Sequence, residues 1–287
     1  MKGIAVILAL AAVALATVAQ TPATQKQQFV VASVKLNKSG GPPGRLGTWG
    51  NLFIAENYPV LLVIQRAYGF PDEWLSREQL TGGPGWTLND RFDIEAKIEG
   101  DPRAIPNGQV WLMVQSLLED RFQLKVHHEV RQLDVFNLVV ANGGLKMKLS
   151  DDQTPPKSDD EVDTFDPASP PRGETSVTHT ASGETVLSGA AISISPSLEV
   201  HRPHALPPRS LTGLLRQSGR LVIDKTNRKG FFDFRLHFVP EELLGKPDLS
   251  GPTIFTALPE QLGLKLESAR GPVEVLVIDS VQKPGEN

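Results

Sequence analysis

Phe92-Asp93-Ile94 and Phe232-Asp233-Phe234, 140 positions apart, decide how this chain is read. Each alternates apolar and polar residues, the period of a strand with one buried face. Working outward at the same offset, Leu118 matches Leu258, Phe122 faces Leu262, and Leu124-Lys125-Val126 matches Leu264-Lys265-Leu266. Further on, Val135 to Val140 resembles Val273 to Ile278 with the offset reduced to 138, which calls for a two-residue shortening in a turn. Upstream, Leu61 to Gly69 loosely parallels Leu211 to Gly219. An offset kept across strand, loop and helix predicts two copies of one unit.

In the first copy Phe29 to Lys35 is expected as a strand rich in β-branched residues, and Asn51 to Glu56 as a second. Asn57 is placed as the cap of a helix that carries Pro59 in its first turn and ends at Gly69. Gly82 to Gly85 reads as a loop and Arg91 to Ile98 as a strand. Val110 to Phe122 has apolar residues at Val110, Met113, Val114, Leu117 and Leu118, the stripe of one helical face. Leu124 to Glu129 and Val135 to Val140 are expected to fold on each other around Arg131-Gln132. In the second copy a helix over 209–220, a strand over Phe231 to Phe238 and a helix over Ile254 to Leu262 precede a hairpin across Gly271-Pro272. The class is α+β: two similar units, each a mainly antiparallel sheet with two helices on one face.

The boundaries follow from composition. Met1-Lys2, an uncharged run from Ile4 to Val18 and small residues up to Ala19 have the order of a secretory signal peptide, with cleavage expected after Ala19. The first unit is then 20–149 and the second 185–287. Between them, 150–184 is acidic, proline-rich and almost without apolar residues, a composition that cannot offset its ordering entropy and reads as a linker. The 287 residues carry a net charge of −4, which gives no footprint for nucleic acid, and no cysteine, which excludes thiol catalysis, disulfides and thiolate metal sites. The expected location is outside the cytoplasm, periplasmic or secreted, with no membrane span after signal cleavage.

Several segments in this order resemble the soil-associated protein family, exported proteins of unknown function from soil bacteria. They are Phe29 to Lys35, Ala67-Tyr68-Gly69, Gly82 to Trp86, Arg91 to Ala96 and Leu117 to Phe122. In the second half they are Asp224-Lys225-Thr226, Gly230 to Phe234, Gly263 to Glu267 and Pro272 to Asp279. One departure is Thr226-Asn227-Arg228-Lys229, where the family shows a turn like Thr-Gly-Leu. The resemblance implies an exported protein and carries over no catalytic residue. Similar domains as extracytoplasmic tails of sensor-type membrane metallopeptidases hint at sensing or binding.

There is no Gly-x-Ser-x-Gly elbow and no His-Glu-x-x-His helix. His127 and His128 are strand neighbours, whose side chains point to opposite faces; His201 and His204 lie among prolines. Asp90, Asp93 and Glu95 cluster in sequence, but Asp93 and Glu95 belong to the polar face of their strand and read as solvated. The residues kept as ligand-binding candidates are Tyr68 and Trp86, for an aromatic platform with Trp74, and the polar pair Asp224 and Lys225. No catalytic residue, metal ligand or cofactor is assigned. The expectation is an exported, non-enzymatic binding or interaction module whose partner is an unknown extracytoplasmic ligand or envelope protein. Two alternatives stand beside it: an extracytoplasmic hydrolase whose residues converge only in three dimensions, and a structural envelope protein.

Overall fold

The computed structural model describes residues 28–69, 74–100, 105, 107–156, 166, 169–181, 183–195, 210–244 and 251–285. The leader expected at 1–19 and the histidines at 201 and 204 lie outside them.

The first half runs β1 (Val31–Asn37), β2 (Leu46–Trp49), β3 (Leu52–Pro59), α1 (Val60–Ala67), β4 (Leu80–Gly82), α2 (Trp86–Asn89), β5 (Arg91–Lys97), α3 (Asn107–Arg121) and β6 (Lys125–Val140). The second runs β7 (Lys148–Leu149), β8 (Thr175–His179), β9 (Thr185–Ser193), α4 (Leu211–Leu214), β10 (Leu221–Asp224), β11 (Phe231–Phe238), α5 (Ile254–Ala257, prolonged by a π-helical turn Leu258–Leu262) and β12 (Leu264–Ser280). These strands make three four-stranded sheets, with few and mostly short helices, so the α+β class stands. Sheet A has the order β1-β5-β3-β2 and sheet C the order β7-β11-β9-β8, both antiparallel throughout. Sheet B, β10-β6-β12-β4, draws two strands from each half.

The burial pattern explains why these elements pack. Phe92, Ile94 and Ala96 of β5 point inward with Phe53 of β3, and meet Val60, Val63 and Ile64 of α1 and the Val114, Leu117 and Leu118 stripe of α3. In the other half Phe232, Phe234 and Leu236 of β11 meet Leu187, Leu211, Ile254 and Leu258. Phe92 and Phe232 are each 2% exposed, and Leu118 and Leu258 are fully enclosed. After α3 and after the Leu258–Leu262 turn the chain reverses through Gln123 at φ 48° and Gly263 at φ 67°. Both enter the left-handed region that ends helices and launch β6 and β12.

Four expectations need correction. First, neither half contains the hairpin expected at its end. β6 passes through Arg131-Gln132 without a turn, β12 passes through Gly271-Pro272, and the two pair antiparallel from Leu264 opposite Val140 to Ser280 opposite Lys125. Pairing two long strands makes one continuous ladder where two separate hairpins would each stop after a few rungs. Pro272 is tolerated because β4 flanks β12 only at Leu276, Val277 and Ile278, so its missing N–H withdraws no bond from a neighbouring strand there.

Second, no shortening is needed: Val135, Phe136 and Leu138 are buried like Val275, Leu276 and Ile278, which keeps the offset at 140 to the end of the ladder. Third, Asn57 is not a helix cap. It sits at φ 58° in β3, at a bulge where the register against β5 shifts between Ala55 and Tyr58; Pro59 precedes the helix. Fourth, the interval 150–184 carries structure. Ser150 is buried and its N–H bonds to the Phe231 carbonyl, and β8 within the interval pairs along β9. Threonine and valine alternation in Thr175–His179 outweighs the acidic composition around it. Of the acidic run itself, 157–165 lie outside the described residues.

Candidate functional site

The four residues named from sequence do not form one site. Trp86 opens α2 and packs inward, its ring stacked 6.5 Å from Phe122 and edge-on 6.1 Å from Phe92. Lys283 Nζ lies over it at 5.7 Å and pairs with Asp90 at 2.6 Å. Tyr68 ends α1 and packs against the same core. Its hydroxyl is buried with no hydrogen-bond partner among the described residues, and burial, helped by Glu119, pushes its pKa up. Trp74 is 41% exposed, and its carbonyl accepts from Arg216.

Asp224 ends β10, beside Leu138. Its carboxylate accepts from Ser195 Oγ, Thr226 N and Thr226 Oγ1, which folds the following turn. Lys225 donates its backbone N–H to Leu138. Trp86 follows β4, whose end pairs with Ile278, and Ile278 faces Val126 on β6. Leu138 and Val126 are twelve residues apart on one strand, roughly 40 Å at strand rise. The aromatic pair and the Asp224–Lys225 pair therefore lie at opposite ends of sheet B.

The histidines do lie on opposite faces: His127 Nδ1 meets Asp279 at 2.8 Å and His128 Nδ1 meets Glu274 at 2.7 Å. Both are surface contacts between an imidazole and a carboxylate. Among the described residues no group of three or more His, Asp or Glu could hold a metal ion.

The site that does assemble polar groups is a cleft of about 270 Å³ on the outer face of sheet A, away from the helices. β1 contributes Ser33, Lys35 and Asn37; β5 contributes Asp93 and Glu95; Glu56 comes from β3 and Arg45 from the residue before β2. Its organising residue is Asp93. Asp93 Oδ1 accepts the backbone N–H of Asn57 at 2.9 Å, satisfying the bulge, and Asn37 Nδ2 donates to both carboxylate oxygens at 2.9 Å. Asn57 then reaches the other way, its Nδ2 within 3.0–3.2 Å of the carbonyls of Gly40, Gly41 and Pro42. That fixes the loop between β1 and β2. Arg45 pairs with Glu56 at 3.2 Å and lies 5.6 Å from the ring centre of Trp49. Trp49, 42% exposed, folds alongside Gly47, where a Cβ would stand 3.6 Å from the ring.

Sheet C places the same chemistry at the corresponding points. Asp233 Oδ1 accepts the N–H of Ala191, which stands at φ 52° in a bulge of β9, and the hydroxyl of Ser150. Lys35-Leu36-Asn37 thus corresponds to Lys148-Leu149-Ser150, and the prolines at 42 and 43 to those at 155 and 156. Arg172 does the work of the Asn57 amide, donating to the carbonyls of Asp152 and Thr154. Asp152 closes the turn by accepting Thr154 N–H, which holds its carboxyl below its ordinary value. The two faces differ in cover. On sheet C, Ser176, Val186 and Ser188 are buried, whereas on sheet A Lys35, Glu95 and Trp49 are exposed.

Sequence reading missed Lys35, Arg45, Trp49 and Glu56. From alternation Asp93 and Glu95 read as an ordinary solvated face, and the aromatic residues singled out are those near Trp86. The available signal is Lys148-Leu149-Ser150 followed by Pro155-Pro156, which echoes Lys35-Leu36-Asn37 and Pro42-Pro43 across the expected boundary at 150.

A family model described as protein of unknown function (DUF3738) matches residues 62–281, opening inside α1 and closing just after β12. No curated protein and no solved structure matches the chain.

Proposed function

The chain belongs to the DUF3738 family of unknown function, and from that premise we propose that it is an exported, non-enzymatic binding module, built by tandem duplication of one α+β unit, whose ligand site is the open face of sheet A. Export rests on the N-terminal pattern and on the resemblance to the soil-associated exported proteins. Duplication is supported by equal strand orders in sheets A and C, by bulges at Asn57 and Ala191 that each give an N–H to an aspartate, and by the exchange of flanking strands in sheet B. There β10 runs parallel to β6 and β4 parallel to β12, the arrangement of two like halves about a two-fold axis.

The observation that carries the binding reading is the unequal cover of two otherwise matching faces. Asp93 and Asp233 both serve the bulge, a task of the fold. Once that shared framework is set aside, what distinguishes the first half is an open cleft with Lys35, Arg45, Glu56 and Glu95 around it. Side chains held on a strand face and fixed by neighbours are pre-organised for recognition.

Hydrogen exchange of the full-length protein, with and without insoluble envelope material to which it sediments, tests this. Protection is expected at 33–37, 45–49 and 93–95, with little change at 148–150 and 175–178. Protection confined to other segments, or no retention on the material, would contradict a ligand site on sheet A.

A further inference from the structure

We infer that the sheet A cleft takes a neutral carbohydrate chain. This rests on the reading of that face as the ligand site and adds the class of ligand. A sugar ring offers two kinds of surface: a patch of C–H groups, which packs on an aromatic face, and a rim of hydroxyls, which both donate and accept hydrogen bonds.

The cleft supplies partners for the hydroxyls, and Trp49, next to its lining residue Arg45, supplies the aromatic surface. Trp49 stands on the outer face of β2 beside the row that Gly47, Ile54, Glu95 and Ser33 form across the sheet. Gly47 has no side chain to lift the indole off that row, and Ile54 at 9% exposure forms a closed floor. The Arg45 guanidinium, paired with Glu56, lies over the indole 5.6 Å from its centre, so a sugar packing on Trp49 shares the ring with a hydrogen-bond donor at the junction of the aromatic and polar parts. Glu95, Ser33 and Lys35 give acceptors and donors within one strand width.

Charge argues for a neutral ligand. Two cations, Lys35 and Arg45, face three carboxylates, of which Glu56 is paired with Arg45 and Asp93 is occupied by Asn37 and the bulge N–H. Neither sign dominates, so no strong field draws an ion. Geometry argues against a peptide added as a strand. Such a peptide pairs its backbone along a free sheet edge, whereas this cleft lies across the face of the sheet, over β5 and β3, which are paired on both sides, and not along the outer edge of β1. What remains to bind with is side chains, which suits hydroxyl groups.

Isothermal titration calorimetry of the full-length protein with short neutral oligosaccharides of glucose, mannose, xylose and N-acetylglucosamine tests the inference, with charged tetrapeptides as the competing class. At least one oligosaccharide should bind saturably. Trp49→Ala should weaken it about tenfold or more, equivalent to about 1.4 kcal/mol, with Trp49→Phe retaining most of the affinity and Glu95→Ala weakening it. Thr178→Ala, at the position of sheet C that corresponds to Trp49, should leave it unchanged. Unaltered circular dichroism of each variant separates lost binding from lost fold. Tetrapeptide binding that is sensitive to Glu95→Ala, without saccharide binding, would overturn the carbohydrate inference and leave the cleft as the site. Saccharide binding indifferent to both Trp49→Ala and Glu95→Ala, or no binding by either class, would overturn both.

Discussion

At the residue scale, Asp93 and Asp233 show how a polar strand position acquires a structural task. From alternation both read as solvent-facing. Each instead accepts a bulge N–H, from Asn57 and Ala191, at 2.9 Å. Removing the acceptor strands a part-buried donor, a loss of about 1–3 kcal/mol. Asp93→Ala and Asp233→Ala should each lower the denaturant midpoint accordingly, while Asp→Asn, which keeps a carbonyl acceptor, should cost clearly less. Equal, negligible costs for all four variants would mean that the bulges hold without these bonds. The apolar neighbours are readable from sequence: Phe92 and Phe232 are both buried, each in a core between sheet and helix. The carboxylate's partner is not, because Asn57 lies 36 positions from Asp93 and a bulge leaves no periodic mark.

At the scale of elements, strands with clean alternation and helices with an apolar stripe were legible: β5, β11, α3 and the helix before Gly263 lie within a few residues of where they were expected. The short strands β2, β4, β8 and β10 were not, since three to five residues carry too little pattern. The expected hairpins failed for another reason: Gly271-Pro272 has turn chemistry, but the pairing of β6 with β12 across the whole chain outweighs it. The junction before β12 makes a separate prediction. Gly263 stands at φ 67°, and a Cβ there would lie 1.9 Å from the Gly144 carbonyl oxygen, a backbone atom. Gly263→Ala combines an unfavourable φ with a clash that no side-chain rotation relieves. It should cost more than about 1 kcal/mol, measured by urea unfolding. Gln123→Gly, at the matching end of α3 at φ 48°, should be tolerated or mildly stabilising.

At the scale of the molecule, β8 draws part of the expected linker into sheet C, and sheet B joins the two expected units. Two cores are separate, one around Phe92 and one around Phe232, yet β6 and β12 span both. Leu276 and Ile278, from the end of the chain, complete the first core, and Phe136 and Leu138, from the first half, complete the second. Neither half can bury its apolar surface without strands from the other. Composition could not reveal this exchange, because a strand reads the same whichever partner it finds.

The most direct test uses the placement of the tryptophans. All four, at 49, 74, 86 and 111, lie in the first half, so tryptophan fluorescence follows that half, while far-ultraviolet circular dichroism follows both. Halves interlocked through sheet B should unfold together, giving coincident denaturant transitions by the two probes. A fluorescence transition well separated from a second dichroism transition would show two independently folded units, and would contradict the shared sheet on which this account of the fold rests.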